Sequence, residues 1–467
     1  MSKINRRTAL KTLGLATAGV ATAGLAACQD STATGQPAAQ TTTAQTATSP
    51  LATGASATPS ANASGQTATQ GVVGQTIPQS SLLPFEGVHQ AGIITQPPEA
   101  VLLVSLDLLV ADRDELTSLF KKLTGRMRDL MGGSLGDFGV ATPEFSPDNS
   151  GELGGDPLKE GHLAITLGIG ASVFEQNGKD RFGLASQKPL ALKPMPRDLA
   201  GDRLDQTLLD GDLFLQISSD HPLYNMHALR DILRHTKGQL SPRWVQPGFQ
   251  RFFAAGPGQA NARGLLGFKD GTANLPVNDD ALMSKLVWTG AEEPAWAQGG
   301  TYVAVRKIRE QIERWDRLTL YQQEASIGRE KLNGASLDRS KETDLPNYTG
   351  DPEGDKVPLD AHIRKANPRL GEESDKRRML RRGYLYFNGV DKSGLLDAGF
   401  LFMGFCRNVQ EQFEYVKRNY MTNRSFPKPG TGAQDLDEYI FAIGGGYFFI
   451  PPGVKATGRF LADALLS

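Results

Sequence analysis

Three short stretches of this 467-residue chain hold residue types that acid–base or metal chemistry needs. Gly267-Phe268-Lys269-Asp270-Gly271-Thr272-Ala273-Asn274 sets one carboxylate in a turn bounded by glycines, a position from which it can take up and return a proton. The same pattern also serves an Asx-type turn that joins two parts of a chain. Pro358-Leu359-Asp360-Ala361-His362-Ile363-Arg364 places one histidine in a polar, arginine-flanked setting, where it can be a metal ligand or a structural residue. Arg377-Arg378-Met379-Leu380-Arg381-Arg382-Gly383-Tyr384 gathers cations at the start of a strand, and a solvated strand entry would look the same.

Two repeated runs of elements must position these residues. Residues 100–106 read as a buried strand, 112–131 as an amphipathic helix, 162–169 and 212–218 as strands and 225–235 as a helix, with a fourth strand near 248–253. That order is β-α-β-β-α-β, and it recurs: strand 301–305, helix 307–315, strands 384–389 and 396–404, helix 409–419, strand 447–450. The expected fold class is therefore α+β, two tandem ferredoxin-like halves whose antiparallel sheets share one core in the manner of a dimeric α+β barrel. Residues 324–376 form a long charged connection with Gly and Pro, and loops of that length usually carry function. The glycines at 168 and 170 lack a βαβ context, and 444–446 precede a strand rather than a helix, so neither reads as a nucleotide or phosphate loop.

Composition narrows the function classes. The hydrophobic share of 39% allows a large core, while 50 basic against 51 acidic residues give no footprint for nucleic acid. With only two cysteines, Cys28 and Cys406, a disulfide framework or thiolate metal site is not expected. None of the six histidines forms a paired zinc motif on one helix.

The N-terminus reads as an address. Lys3, Arg6, Arg7 and Lys11 precede a short apolar run, and Asn5-Arg6-Arg7-Thr8-Ala9-Leu10-Lys11 resembles a twin-arginine export signal, departing from it at Asn5 and Ala9. Leu25-Ala26-Ala27-Cys28 resembles a lipobox, which implies a lipid anchor on Cys28 and a place in the cell envelope, in the periplasm or on the outer face of the membrane. Residues 31–85 contain no charged side chain, and their early part is Thr, Ala, Ser, Gln and Gly with scattered Pro, the composition of a stalk. The expected organisation is a signal over 1–28, a stalk over 29–82, an N-terminal half over 83–256 and a C-terminal half over 257–467.

The three chemical segments, in their order and spacing, resemble the dye-decolorising peroxidase family, in particular its exported branch with iron-uptake-associated members. Pro84-Phe85-Glu86-Gly87-Val88-His89-Gln90-Ala91-Gly92-Ile93, Ile327-Gly328-Arg329, Phe402-Met403-Gly404-Phe405 and Gly445-Gly446-Tyr447-Phe448-Phe449 extend the resemblance from about residue 84 onward. It implies one haem b per chain in the C-terminal half. His362 would be the axial iron ligand, Asp270 the distal acid and Arg381 the distal cation, with Arg382 the alternative to Arg381. In the family a carboxylate orients the axial histidine, for which Asp435, Asp437 and Glu438 are the nearby choices.

The chemistry of such a set is coherent. Haem iron needs a neutral imidazole on one side, and a hydrogen bond to the far ring nitrogen makes that ligand more basic. Peroxide must lose a proton from one oxygen and gain one on the other, so an ionised Asp270 implies an acidic optimum. Arg381 would stabilise charge on the leaving oxygen. The implied partners are hydrogen peroxide and a reducing substrate, with iron-uptake components at the membrane and a second copy of the chain as further candidates. Release of iron from haem is the competing activity. Bulky donors would reach the centre through surface aromatics, for which Trp288, Trp296, Tyr384 and Tyr386 are available, although core packing is the plainer role for each.

Overall fold

A computed structural model describes residues 82–134, 150–153, 161–250 and 262–467. The signal and almost all of the stalk fall outside the described residues. Among the described residues no helix is long and apolar enough to cross a membrane.

Eight antiparallel strands close into one barrel: β1 (Ala100–Leu108), β2 (Ala164–Gly170), β3 (Leu213–Ser219), β4 (Leu240–Phe249), β5 (Thr301–Glu310), β6 (Leu380–Val390), β7 (Leu396–Cys406) and β8 (Ile440–Ile450). Their order around the barrel is β1-β3-β2-β8-β5-β7-β6-β4, so each half runs fourth-first-third-second. That is the ferredoxin-like arrangement, made twice. The halves meet along two seams, Ile169↔Phe449 with Gly170↔Phe448 on one side and Phe249↔Leu385 on the other.

Strand alternation splits the apolar residues into two layers. Val101, Leu103, Phe214, Val303, Val305, Tyr384, Tyr386, Met403, Phe405 and Phe448 fill the barrel interior. Leu102, Val104 and Leu106 point outward under α1 (Arg113–Met131) and α2 (Pro222–His235). Asp112 caps α1 by accepting from the Glu115 backbone N–H, and Leu116, Leu119, Phe120, Leu123, Met127 and Leu130 form its buried stripe.

Several elements differ from the sequence expectation, β6 and β8 by starting earlier, at Leu380 and Ile440. The fourth strand begins at Leu240, earlier than 248, with Pro242 and Pro247 inside it. Proline is tolerated because β4 pairs along its length with β1 but with β6 only at Phe249. β5 continues to Glu310 where a helix is expected from 307, and only Ile312–Trp315 is helical. There Lys307 lies over the Tyr386 ring and Arg309 pairs with Asp391 and Asp397, so tertiary contacts override local helix preference. The helix near 409–419 is wound with π geometry over Gln410–Glu414 and Val416–Met421.

The long connection between β5 and β6 carries α3 (Leu320–Ile327) and α4 (His362–Ala366). Buried cations hold it. Arg364 pairs with Asp351 at 3.1 Å and donates to the Val357 and Asp351 carbonyls, and the Lys365 ammonium donates to the carbonyls of Asn423, Phe426 and Gly432 at 2.8, 2.6 and 2.7 Å. Replacing Lys365 with Met strands those three carbonyls, and a loss of about 3 kcal/mol is expected. Denaturant unfolding of the variant measures it; an unchanged midpoint would show that the ammonium does not hold the loop.

Candidate functional site

The segment around Asp270 is a tight turn locked at both ends. Arg263 and Lys269 face each other in an isolated bridge, the Asp270 N–H donates to the Ala262 carbonyl at 2.9 Å, and Arg263 Nη1 donates to the Gly267 and Lys331 carbonyls. Gly271 has φ +94, a backbone conformation that side chains disfavour, which turns the chain directly after the carboxylate. Lys269 and Thr272 both reach Glu342, tying the turn to the long connection.

Strand parity then selects the partner of Asp270. Arg381 pairs with Gly404, Gly383 with Phe402 and Leu385 with Phe400, so these side chains share the outer face of the sheet, while Leu380, Tyr384 and Tyr386 point into the barrel. Arg381 Nη1 lies 3.3 Å from Asp270 Oδ1, and both side chains are about one-third exposed, at 32% and 39%. Arg382 points the other way and bonds the Thr95 carbonyl, so it does not reach Asp270 in this arrangement. Asn274, in the same turn as Asp270, clamps the strand: its Oδ1 accepts from the Arg381 N–H at 2.8 Å and its Nδ2 donates to the Arg381 carbonyl at 2.7 Å. The sequence contained that residue but gave no sign that it grips Arg381 rather than its own turn.

His362 opens α4. Gly328, at φ +91 after α3, leaves room for Ala361 and Ile363 to pack against the helix end, where a Cβ would collide. The His362 Nδ1 lies 3.0 Å from Gln434 Oε1, leaving Nε2 for a ligand. Burial pulls the imidazole below its ordinary pKa, the Gln434 bond opposes this, Arg381 lowers it further and Asp270 raises it. A neutral imidazole under the influence of both charges is the form that a metal takes. The expected carboxylates are not in contact with it: the amide of Gln434 occupies that place, and Asp437 stands one step behind, 2.7 Å from Gln434 Nε2.

Two features could receive a flat anionic cofactor. Arg381, Gly383, Leu385, Phe400 and Phe402 are only partly covered although their neighbours along each strand are buried, so the outer face of β6 and β7 is an open, mostly apolar platform. Arg329, Arg369, Arg378 and Arg381 accumulate positive charge: burial lowers the Arg329 and Arg378 pKa values, and Arg369 and Arg381 lower both further. Arg369 Nε is buried without a partner. Among the described residues there is no cluster of three or more side chains able to hold a bare metal ion, so His362 would serve as a single protein ligand.

Glu310, at the end of β5, was not anticipated. It is 6% exposed, its Oε2 has no partner, and burial together with the Asp270 charge pushes its carboxyl up to about 8. Of the four aromatics considered for relaying electrons, Trp296, Tyr384 and Tyr386 are core residues. Trp288 is half-buried and stacks on His89 with ring centroids 3.5 Å apart.

Comparison with known proteins bears on the family and the fold. A family model for the Dyp-type peroxidase N-terminal part matches residues 90–250, and one for the C-terminal part matches residues 261–455. A protein named deferrochelatase from Escherichia coli O157:H7 is 42% identical over 416 residues, 88% of this chain and 93% of its own. Among solved structures, ferric DtpA from Streptomyces lividans shares 32% identity with a TM-score of 0.70, covering 83% of this chain and 98% of its own. A DyP-type peroxidase from Cellulomonas bogoriensis shares 33% with the same TM-score, covering 84% and 100%.

Substituting Asn274 with Ala removes both clamping bonds and is expected to lower stability by about 1–2 kcal/mol. Chemical denaturation reads the change, and an unaltered curve would show that the clamp contributes nothing in solution.

Proposed function

The chain belongs to the Dyp-type peroxidase family, and on that premise we propose that His362 is the axial ligand of its haem, with Asp270 and Arg381 as the pair that handles peroxide. It is a haem peroxidase, an oxidoreductase that uses one haem b, hydrogen peroxide and a reducing substrate. The observation that carries the residue assignment is the 3.3 Å approach of Arg381 to Asp270 at the edge of the open sheet face, with both charges acting on His362.

The residues present fit haem. The platform of Leu385, Phe400 and Phe402 suits a porphyrin face, the surplus arginine charge suits its two propionates, and His362 Nε2 suits its iron. When bound, haem would supply the iron that gives two electrons to peroxide and regains them one at a time from the reducing substrate.

Asp270 Oδ1 is occupied by the Gly271 N–H at 2.8 Å and by Arg381, so Oδ2 is the oxygen that takes the peroxide proton and returns it to the leaving oxygen. The Arg381 guanidinium meets the negative charge that develops on that leaving oxygen. A carboxylate base works at lower pH than an imidazole, which supports an acidic optimum.

Haem-iron release is a second reading, favoured by the name deferrochelatase on a relative of 42% identity. Oxidised dye with peroxide supports the first activity, and metal-free porphyrin appearing from haem supports the second. On sequence grounds the two halves span 83–256 and 257–467, residues 1–28 direct twin-arginine export, Cys28 carries a lipid and 29–82 form a stalk. Iron-uptake components of the membrane and a second copy of the chain are the proposed partners.

The expected outcome for His362→Ala is loss of the haem Soret band. For Asp270→Ala and Arg381→Leu, bound haem but a peroxide reaction slower by roughly 100- to 10,000-fold is expected in stopped-flow absorbance. Wild-type peroxide kinetics in both distal variants would remove the assigned roles.

A further inference from the structure

Behind His362 a chain of hydrogen bonds runs through a neutral group to a charged one. His362 Nδ1 lies 3.0 Å from Gln434 Oε1, Gln434 Nε2 lies 2.7 Å from Asp437 Oδ1, and Lys417 Nζ lies 3.4 Å from the same oxygen. Gln434 is 2% exposed, so water does not compete for its amide. Its backbone is fixed by the Gln434 N–H to the Met421 carbonyl at 2.9 Å, and the Asp435 N–H donates to the Asp360 carbonyl at 3.1 Å, two residues before His362.

An ionised carboxylate accepts hydrogen bonds and donates none. Asp437 therefore fixes the amide with its NH₂ toward the carboxylate and its oxygen toward the imidazole. That oxygen is in turn an acceptor only, so Nδ1 carries the hydrogen and Nε2 keeps a free lone pair. The chain thus selects the tautomer that can bind iron. It also sets how strongly that nitrogen donates. A carboxylate directly on Nδ1–H would draw the proton and give the ring imidazolate character, whereas an amide oxygen is the weaker acceptor. Polarisation of the amide by Asp437 restores part of the effect, and Lys417 tempers Asp437.

We propose that Gln434 is a positioning residue that passes the charge of Asp437 to His362 and holds the haem iron at a higher reduction potential than a directly bonded carboxylate would. The inference rests on His362 being the axial ligand.

The test is spectroelectrochemical titration of the haem-loaded full chain, with the iron–histidine stretch of the ferrous form read by resonance Raman. Gln434→Glu, nearly isosteric, is expected to lower the midpoint potential and raise the stretching frequency. Gln434→Leu is expected to shift both the other way. Asp437→Asn should raise the potential by less than Gln434→Leu does, and should add nothing when combined with it. A potential unmoved by Gln434→Glu, or an Asp437→Asn shift of equal size with and without Gln434, would overturn the relay. His362→Ala separates the two ideas: a retained Soret band there removes the axial assignment, while a lost band with unmoved potentials in the other variants removes only the relay.

Discussion

Alternation along one strand is the constraint on which the site depends. Successive residues of β6 face opposite sides of the sheet, so of two adjacent arginines only Arg381 meets Asp270, while Arg382 turns toward Thr95. A slip of one residue in the β6–β7 pairing would put Tyr384 and Tyr386 on the outer face and Arg381 in the barrel. The barrel interior resists such a slip, because Leu380, Tyr384 and Tyr386 are packed there with Met403 and Phe405. Packing remote from the chemistry thereby determines which cation attends the acid, and Asn274 makes the choice local by gripping the Arg381 backbone from the turn that bears Asp270.

Charge is distributed around the site in two opposed ways. On one side the arginines crowd, with Arg369 and Arg381 depressing the pKa values of Arg329 and Arg378, an arrangement that a pair of carboxylates would relieve. On the other, Glu310 is buried with an unpartnered oxygen and its carboxyl held up to about 8, so near neutrality it adds little negative charge beside Asp270. Burial is the largest cause that pulls the His362 pKa below its ordinary value.

Much of this was legible from residue order. The repeated β-α-β-β-α-β pattern pointed to the two ferredoxin-like halves, and the Gly-bounded Asp270, the Asp-Ala-His of 360–362 and the arginines near 381, read together with the family resemblance, supplied the candidate site. What stayed hidden depends on contacts across the chain. Pro242 and Pro247 disguise β4, whose second edge is nearly unpaired, and Lys307 to Glu310 extend β5 only because Tyr386, Asp391 and Asp397 await them. Gln434 drew no attention beside three carboxylates, since amides do not announce chemistry by type. Glu310 looked like any charged residue near a strand end, and only its burial distinguishes it.

The anchoring of α4 has a consequence for assembly of the holoprotein. Arg364 and Lys365, two and three residues beyond His362, are fixed to Asp351 and to backbone carbonyls by bonds within the protein. His362 thus stands on a backing held by side-chain bonds of its own segment. On the proposed assignment of His362 as haem ligand, ordering of this segment would be supplied by the fold's own bonds rather than drawn from the binding energy of the porphyrin.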